Sequence, residues 1–142
     1  LGKCEPDSIV LVHDAARPLT PPEVTRRVIG AVRGGARAVI PVLPVTDTLK
    51  TVDASGAVVG TPRRSDMVAV QTPQGFRWDV LIRAHESGAS LGADEAAAAT
   101  DDAGLVEAIG GSVQTVAGDE LSLKVTRPLD LAIARLLADA QA

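Results

Sequence analysis

The sequence predicts an α/β fold built around a mostly parallel β-sheet. The runs at 9–12 and 38–42 are continuously apolar, as is typical of strands buried on both faces of a parallel sheet. Between them, residues 20–23 have the pattern of a capping box with an early proline, and Gly34 and Gly35 end the predicted helix. The order strand, helix, strand indicates a crossover unit of a parallel sheet.

The segment 46–64 has a different pattern. Two short runs typical of extended chain, 48–52 and 57–59, flank a turn-like stretch at 53–56. The pattern predicts a β-hairpin arm with little apolar surface of its own. Because an isolated hairpin is marginally stable in water, we expect the arm to pack on another surface, such as a second subunit.

The rest of the chain continues the alternation of strands and helices. The expected strands are 68–70, 113–116 and 121–125, and the expected helices are 77–86, 101–109 and one that begins at Pro128. The alanine-rich stretch 93–99 is expected to be helix or surface loop. The apolar stripe of the last helix comprises Leu129, Ile133, Leu136, Leu137 and Ala140. The linkers are too short for two domains, so residues 1–142 are expected to form one.

Composition excludes several classes of function. The chain has 142 residues, 46% of them hydrophobic, and a net charge of −4, so it can bury a core and offers no basic surface to nucleic acid. No apolar run approaches the roughly 18 residues that a membrane helix requires. Cys4 is the single cysteine, and no signal peptide is visible at Leu1, so we expect a cytoplasmic protein.

Five polar clusters follow or interrupt the apolar runs. They are 13–17, 47–48, 63–64, 71–74 together with 100–102, and 124–128. Each one alone is also explained by a satisfied polar residue at the end of a strand. Together they offer Asp, Arg, Lys and Thr at the edge of an α/β sheet where ligands bind. That set of side chains suits phosphoryl or nucleotidyl transfer, in which the protein positions phosphates and neutralises charge.

Five motifs in order carry a resemblance to a known family. They are V-H-D-A-A-R-P at 12–18, D-T-L-K at 47–50, Q-T-P-Q-G-F at 71–76, T-D-D-A at 100–103 and L-K-V-T-R-P-L-D-L at 123–131. In this combination the chain resembles, over essentially its whole length, the 2-C-methyl-D-erythritol 4-phosphate cytidylyltransferases. The resemblance implies a Rossmann-like nucleotidyltransferase sheet with a projecting β-hairpin arm, at about 46–64, through which two subunits form a homodimer.

The same resemblance implies the reaction and its cofactor. Members of the family transfer a cytidylyl group from CTP to methylerythritol phosphate and release pyrophosphate, with Mg²⁺, in non-mevalonate isoprenoid biosynthesis. The implied catalytic residues are Lys124, Arg64 and Asp14, with Asp14 also near the metal and the triphosphate as a Mg²⁺ ligand. The implied substrate-binding residues are Ala15, Arg17, Thr48, Thr72 and Thr100. Thr48 and Arg64, on the arm, would serve the site of the partner subunit.

The chain departs from the family pattern in three places. The glycine-rich loop that wraps the CTP triphosphate, with the residues that recognise cytosine, is not among these 142 residues, so we expect the chain alone to be inactive. Asp102 stands where a glutamate is common, and Ser122 where an asparagine is usual. Two alternatives stay open: a ribitol-5-phosphate cytidylyltransferase, and a non-catalytic α/β interaction module that lacks the nucleotide loop.

Overall fold

The computed structural model describes residues 4–5, 7–88 and 101–140. The strands in this part of the chain are β1 (Ile9–Val12), β2 (Ala38–Pro44), β3 (Thr51–Val52), β4 (Val58–Gly60), β5 (Val68–Val70), β6 (Gln74–Arg77) and β7 (Val113–Ala117). The α-helices are α1 (Pro22–Arg33), α2 (Trp78–Gly88), α3 (Asp102–Ala108) and α4 (Pro128–Asp139), and two 3₁₀ turns lie at Arg64–Asp66 and Glu120–Ser122. The predicted stretch 93–99 lies outside the described residues.

The main sheet confirms the predicted α/β class and is mixed. β1, β2 and β7 run in the same direction, and β7 pairs parallel with β2. β6 lies between β1 and β2 and is antiparallel to both of them. β5 also pairs antiparallel with β2, at residues 42–44, whereas β6 pairs with residues 38–39. Pro73 separates β5 from β6, because proline has no N–H to donate to a neighbouring strand.

Helices cover both faces of this sheet. On one face, α2 and α3 bury Phe76 and Val106 among residues of the sheet. On the other face, α1 packs Val28 and Val32 against Val39. The two faces alternate along β2, as the two-residue period of a strand requires. The buried run of the sequence therefore serves two separate apolar clusters.

The hairpin arm is present and pairs only with itself among the described residues. β3 and β4 form a separate two-stranded antiparallel sheet joined by the turn at 53–56. The carboxylate of Asp53 accepts hydrogen bonds from the backbone N–H groups of Ser55 and Ala57, and Gly56 adopts φ +85°. This turn confirms the predicted hairpin, although its paired strands are shorter than the predicted runs.

Two local predictions were wrong, and one strand was not predicted. The N-cap of α1 is Pro21, without a side-chain cap, because the hydroxyl of Thr20 donates instead to the Arg17 carbonyl. Residues 74–77 form β6, which the sequence pattern did not predict, and α2 follows from Trp78, close to its predicted start. The segment 121–125 is no strand, because Asp119 accepts from the Leu121 N–H and nucleates the 3₁₀ turn there.

The apolar stripe of α4 is largely exposed. Leu129 and Leu136 retain 68% and 71% of their accessible surface, and Ala134 is the buried residue of the described helix. Ile133 and Leu137 line an open apolar cavity of about 690 Å³ beside the Glu120–Ser122 turn. The stripe that the sequence predicts is therefore present, but it is not buried against the described sheet. No described helix is both long and apolar enough to cross a bilayer.

The close approach of α1 to β6 leads to a stability prediction. A Cβ at Gly75 would lie 2.3 Å from Cγ1 of Val28, a buried and β-branched side chain that cannot easily turn away. Gly75→Ala should therefore lower the free energy of unfolding by about 1–3 kcal/mol. Urea denaturation of the whole protein measures the change.

Gly30→Ala is the matched control. This glycine lies in α1, and a Cβ there would have nothing within 4 Å. Because alanine favours the helix by about 1 kcal/mol over glycine, this substitution should be neutral or stabilising. Equal destabilisation by both substitutions would contradict the packing account.

Candidate active site

The candidate site lies where β1 ends and its chain turns away from the sheet. β1 pairs antiparallel with β6, with Val12 opposite Gln74. Continuing that register places Asp14, two residues after Val12, opposite Thr72, two residues before Gln74. The Asp14 N–H donates to the Thr72 hydroxyl at 3.0 Å, so the antiparallel pairing itself brings these two predicted site residues together.

The Thr72 hydroxyl also contacts His13. Its Oγ1 lies 3.0 Å from Nδ1 of His13, and a proton on one of the two atoms links them. Since the hydroxyl already accepts from the Asp14 backbone, its orientation is set by two neighbours. His13 thus contacts the site through Thr72. The only sign of this in the sequence was the position of His13 beside the end of a strand.

Lys124 faces Asp14 across the site. Its Nζ lies 2.8 Å from Oδ2 of Asp14, and both side chains are partly exposed, at 48% and 33%. The hydrogen bond from Lys124 holds the pKa of Asp14 below its usual value near 3.8, against the opposing effect of desolvation. The charges of Lys124, Arg17 and His13 lower that pKa further. Asp14 is therefore an ionised carboxylate beside a cation, open to solvent on one side.

The loop that carries Lys124 is bound to the loop that carries Asp14. The Val125 N–H donates to the Ala16 carbonyl at 2.8 Å. The guanidinium of Arg17 donates to the Ser122 carbonyl at 2.6 Å and to the Val70 carbonyl at 3.3 Å. Ala15 lies exposed in the same loop. These bonds place Lys124 at the end of β1 although it belongs to no strand.

Two glutamines that flank Thr72 tie it to its neighbours, and sequence reasoning assigned neither of them a role. The Gln71 carboxamide pairs with the backbone of Asp119, donating to its carbonyl at 2.9 Å and accepting from its N–H at 3.0 Å. The Gln74 carboxamide donates to Asp101 at 2.7 Å and accepts from the Ala103 N–H at 3.2 Å. The only feature of the sequence that pointed to such a role was a polar residue on each side of the Thr72-Pro73 pair.

A small cavity opens in front of these residues. It has a volume of about 250 Å³ and is lined by Val12, His13, Asp14, Thr72, Gln74, Asp101 and Asp102. Asp101 caps α3 by accepting from the Gly104 N–H, so the helix begins at Asp102. Asp102 also contacts Nε2 of His85, at 2.7 Å. The predicted site residue Thr100 lies outside the described residues.

Thr48 and Arg64 lie on the arm and away from this cluster. Arg64 donates to the Thr46 carbonyl at 2.7 Å, at the base of the arm. Among the described residues no hydrogen bond or ion pair joins Thr48 or Arg64 to Asp14 or Lys124. The chain thus brings together Asp14, Thr72 and Lys124 but not the two arm residues.

The carboxylates and histidines of the site limit how a metal ion can be held there. In the described part of the chain, no group of three or more His, Cys, Asp or Glu side chains is arranged to hold a metal ion. Asp101 and Asp102 also line the cavity, but they are bonded to Gln74, Gly104 and His85, so Asp14 is the carboxylate that faces Lys124. One carboxylate fits Mg²⁺ that is held mainly by substrate phosphates and water, and it does not fit a cation held by protein alone.

Comparison with known proteins covers nearly the whole chain. The sequence profile of the family described as 2-C-methyl-D-erythritol 4-phosphate cytidylyltransferase matches residues 3–139. A protein of that name from Rhodococcus opacus (strain B4) is 55% identical over 130 residues, which are 92% of this chain and 54% of the relative. The chain therefore spans about half the length of the curated relatives that it matches.

Solved structures agree with this match. A crystal structure of the enzyme of that name from Thermus thermophilus covers 96% of this chain with a TM-score of 0.79 and 38% identity, and 63% of that structure is matched. The Francisella tularensis structure gives a TM-score of 0.85 at 28% identity, over 96% of this chain and 62% of that one. Because the profile and the relatives match almost every residue, this chain belongs to the 2-C-methyl-D-erythritol 4-phosphate cytidylyltransferase family.

Proposed function

We propose that the whole protein transfers a cytidylyl group from CTP to 2-C-methyl-D-erythritol 4-phosphate. The products are 4-diphosphocytidyl-2-C-methyl-D-erythritol and pyrophosphate. The observation that carries the proposal is the contact of Lys124 with Asp14, beside the Thr72 hydroxyl, in a chain of this family. A cation, a carboxylate and a hydroxyl at the end of a strand suit a polyol phosphate, which needs both charge and hydroxyl recognition.

The reaction is an in-line displacement at phosphorus. An oxygen of the acceptor phosphate forms a bond to the α-phosphorus of CTP, and the bond from that phosphorus to the bridging oxygen of pyrophosphate breaks. The electron pair of the broken bond leaves with pyrophosphate. The attacking phosphate oxygen is already deprotonated at neutral pH, so it needs no general base. The protein has to place two anions in contact and offset their repulsion, which is a matter of position and charge.

Lys124 is proposed to hold the attacking phosphate. Its ammonium is a point charge with three donors, so it can keep the contact with Asp14 and still donate to a phosphate oxygen. Asp14 orients that ammonium and can accept a hydrogen bond from an acceptor hydroxyl. Thr72 and the exposed Ala15 are proposed to line the acceptor site. The hydroxyl of Thr72 is oriented by Asp14 and His13. Thr100 is added to this group from the family pattern.

Mg²⁺ is proposed as the cofactor, with Asp14 as its one ligand from this chain. When bound, the ion neutralises charge on the triphosphate and favours the departure of pyrophosphate. The chain's own part is to present an ionised carboxylate at that place. The pKa of Asp14 lies below its usual value because of the hydrogen bond from Lys124, so the carboxylate stays ionised even in mildly acidic solution.

Homodimerisation through the arm is part of the proposal. Val52, Val58 and Val59 on the arm are 58–64% exposed, so the hairpin has apolar side chains that the described residues do not cover. Within the described part of the chain, Arg64 and Thr48 make no hydrogen bond with Asp14, Thr72 or Lys124. We propose that they reach the acceptor phosphate in the site of the partner subunit, in a cytoplasmic enzyme.

Pyrophosphate release tests the activity. The whole protein with CTP and Mg²⁺ is offered methylerythritol phosphate and ribitol 5-phosphate in separate reactions. Release should occur with methylerythritol phosphate. Release with the ribitol ester alone would identify a ribitol-5-phosphate cytidylyltransferase instead, and no release with either would favour the non-catalytic module.

Lys124→Ala tests the role of the lysine. Loss of a charge-assisted contact to the reacting phosphate should raise the activation barrier by about 2–4 kcal/mol, or roughly 30- to 1000-fold in kcat/KM. Arg26→Ala is the matched control, because it removes an exposed cation that pairs with Glu23 on α1. Steady-state kinetics on both variants should show loss for Lys124→Ala alone; unchanged turnover of that variant would remove Lys124 from the mechanism.

Mixed dimers test the exchange of arms. Arg64→Ala and Lys124→Ala subunits, each nearly inactive, are unfolded, mixed and refolded together. Random pairing makes half of the dimers mixed. If the arm serves the partner's site, each mixed dimer has one intact site of two, so about a quarter of wild-type activity should return. Recovery of no activity, with dimers confirmed by light scattering, would place both residues in the same site.

A further inference from the structure

We propose that Arg17 is a positioning residue that holds Lys124 against Asp14, and that it does not bind the substrate. The inference rests on the proposed function, in which Lys124 holds the attacking phosphate. Arg17 lies in the loop after β1, three residues beyond Asp14, and the family pattern would place it in the acceptor pocket. Its contacts in this structure are with the protein's own backbone.

The guanidinium joins three segments of the chain. One terminal nitrogen donates to the Ser122 carbonyl at 2.6 Å and the other to the Val70 carbonyl at 3.3 Å. Ser122 is fully buried and stands two residues before Lys124. Val70 ends β5, directly before the Gln71-Thr72 pair. The planar fork of an arginine can bridge two separate carbonyls in this way, whereas a lysine ammonium is a point charge.

A second bond makes the placement of Lys124 definite. The Val125 N–H donates to the Ala16 carbonyl at 2.8 Å, so the chain is held on both sides of Lys124 by two consecutive residues, Ala16 and Arg17. The Arg17 N–H in turn donates to the Asp14 carbonyl at 2.9 Å, which closes a turn. Asp14 and Lys124 therefore lie on two loops that these hydrogen bonds hold together.

The guanidinium is poorly placed to receive a phosphate. One N–H of each terminal nitrogen already donates to a backbone carbonyl, and Nε is buried without a hydrogen-bond partner, so it is not open to a ligand. Burial lowers the pKa of Arg17, and the nearby Asp14 carboxylate opposes that shift. A phosphate dianion that approached both terminal nitrogens would compete with the carbonyls that they already hold, and those bonds keep the Lys124 loop in place.

A double-mutant cycle in the whole protein tests the inference. Arg17→Lys keeps the charge but has one nitrogen, on a shorter side chain, in place of the two that hold the Ser122 and Val70 carbonyls. It should lower kcat about tenfold or more, with KM for methylerythritol phosphate changed less than about threefold. In a Lys124→Ala background, the same substitution should cost less than about threefold, because residues that act through one another are not additive. A full further loss in that background, or a rise in KM alone, would overturn the proposal.

Arg27→Lys is the matched control. Arg27, on α1, also donates to two backbone carbonyls, those of Ala117 at 2.8 Å and Gly118 at 3.1 Å, at the start of the same loop. Its replacement should leave kcat within about threefold of wild type, because no bond of Arg27 flanks Lys124. Equal losses for Arg17→Lys and Arg27→Lys would mean a general loosening of the loop and would overturn the positioning role.

Two measurements do not depend on activity, so they separate failure of this inference from failure of the proposed function. Amide hydrogen exchange at Val125 should speed up in Arg17→Lys while the amides of β2 stay protected. In the wild type, the ¹⁵N resonances of the Arg17 guanidinium should stay in place as methylerythritol phosphate is added, while Lys124 Nζ shifts. Unchanged exchange at Val125 would contradict the inference. So would an Arg17 shift equal to that of Lys124, which is measured in the wild type and does not require Arg17→Lys to fold.

Discussion

The candidate site depends on one contact between loops that are distant in sequence. The segment 122–125 lies against 14–17 through hydrogen bonds that span more than a hundred residues of chain. Backbone groups of Ala16, Ser122 and Val125 supply most of the bonding atoms. Because such bonds do not depend on those side chains, the loops stay together while the side chains of Asp14 and Lys124 remain free to meet a ligand.

The inserted antiparallel strand has a functional consequence. A purely parallel arrangement would place β2 beside β1 and leave Thr72 elsewhere. With β6 between them, the register of Val12 opposite Gln74 carries the chain before β6 past the end of β1. The two glutamines around Thr72 then bond to α3 and to the loop before Lys124. The strand thus works as a connector between the first and the last parts of the site.

The charges of the site serve orientation more than stability. Asp14 and Lys124 are partly exposed, and an ion pair in that setting contributes little to the free energy of folding because water screens it. The low pKa of Asp14 means that the pairing persists at neutral pH and is lost only as the pH falls through that lowered value. An exposed, charged pair of fixed geometry is what a phosphate ligand can use without a large cost of desolvation.

Local patterns in the sequence predicted the strand at 9–12, the helix after Pro21, the arm and the chemical types at the site, because apolar runs and turn residues act over a few positions. They did not predict β6, whose strand state comes from pairing with β1 and β2. The segment 121–125 alternates like a strand, yet the Asp119 cap and bonds to a remote loop decide its shape. The sequence by itself thus determined most of the local elements and which polar side chains are available at their ends. Only the tertiary structure decided that Lys124 meets Asp14 and that Arg17 faces carbonyls, since both depend on contacts across the whole chain.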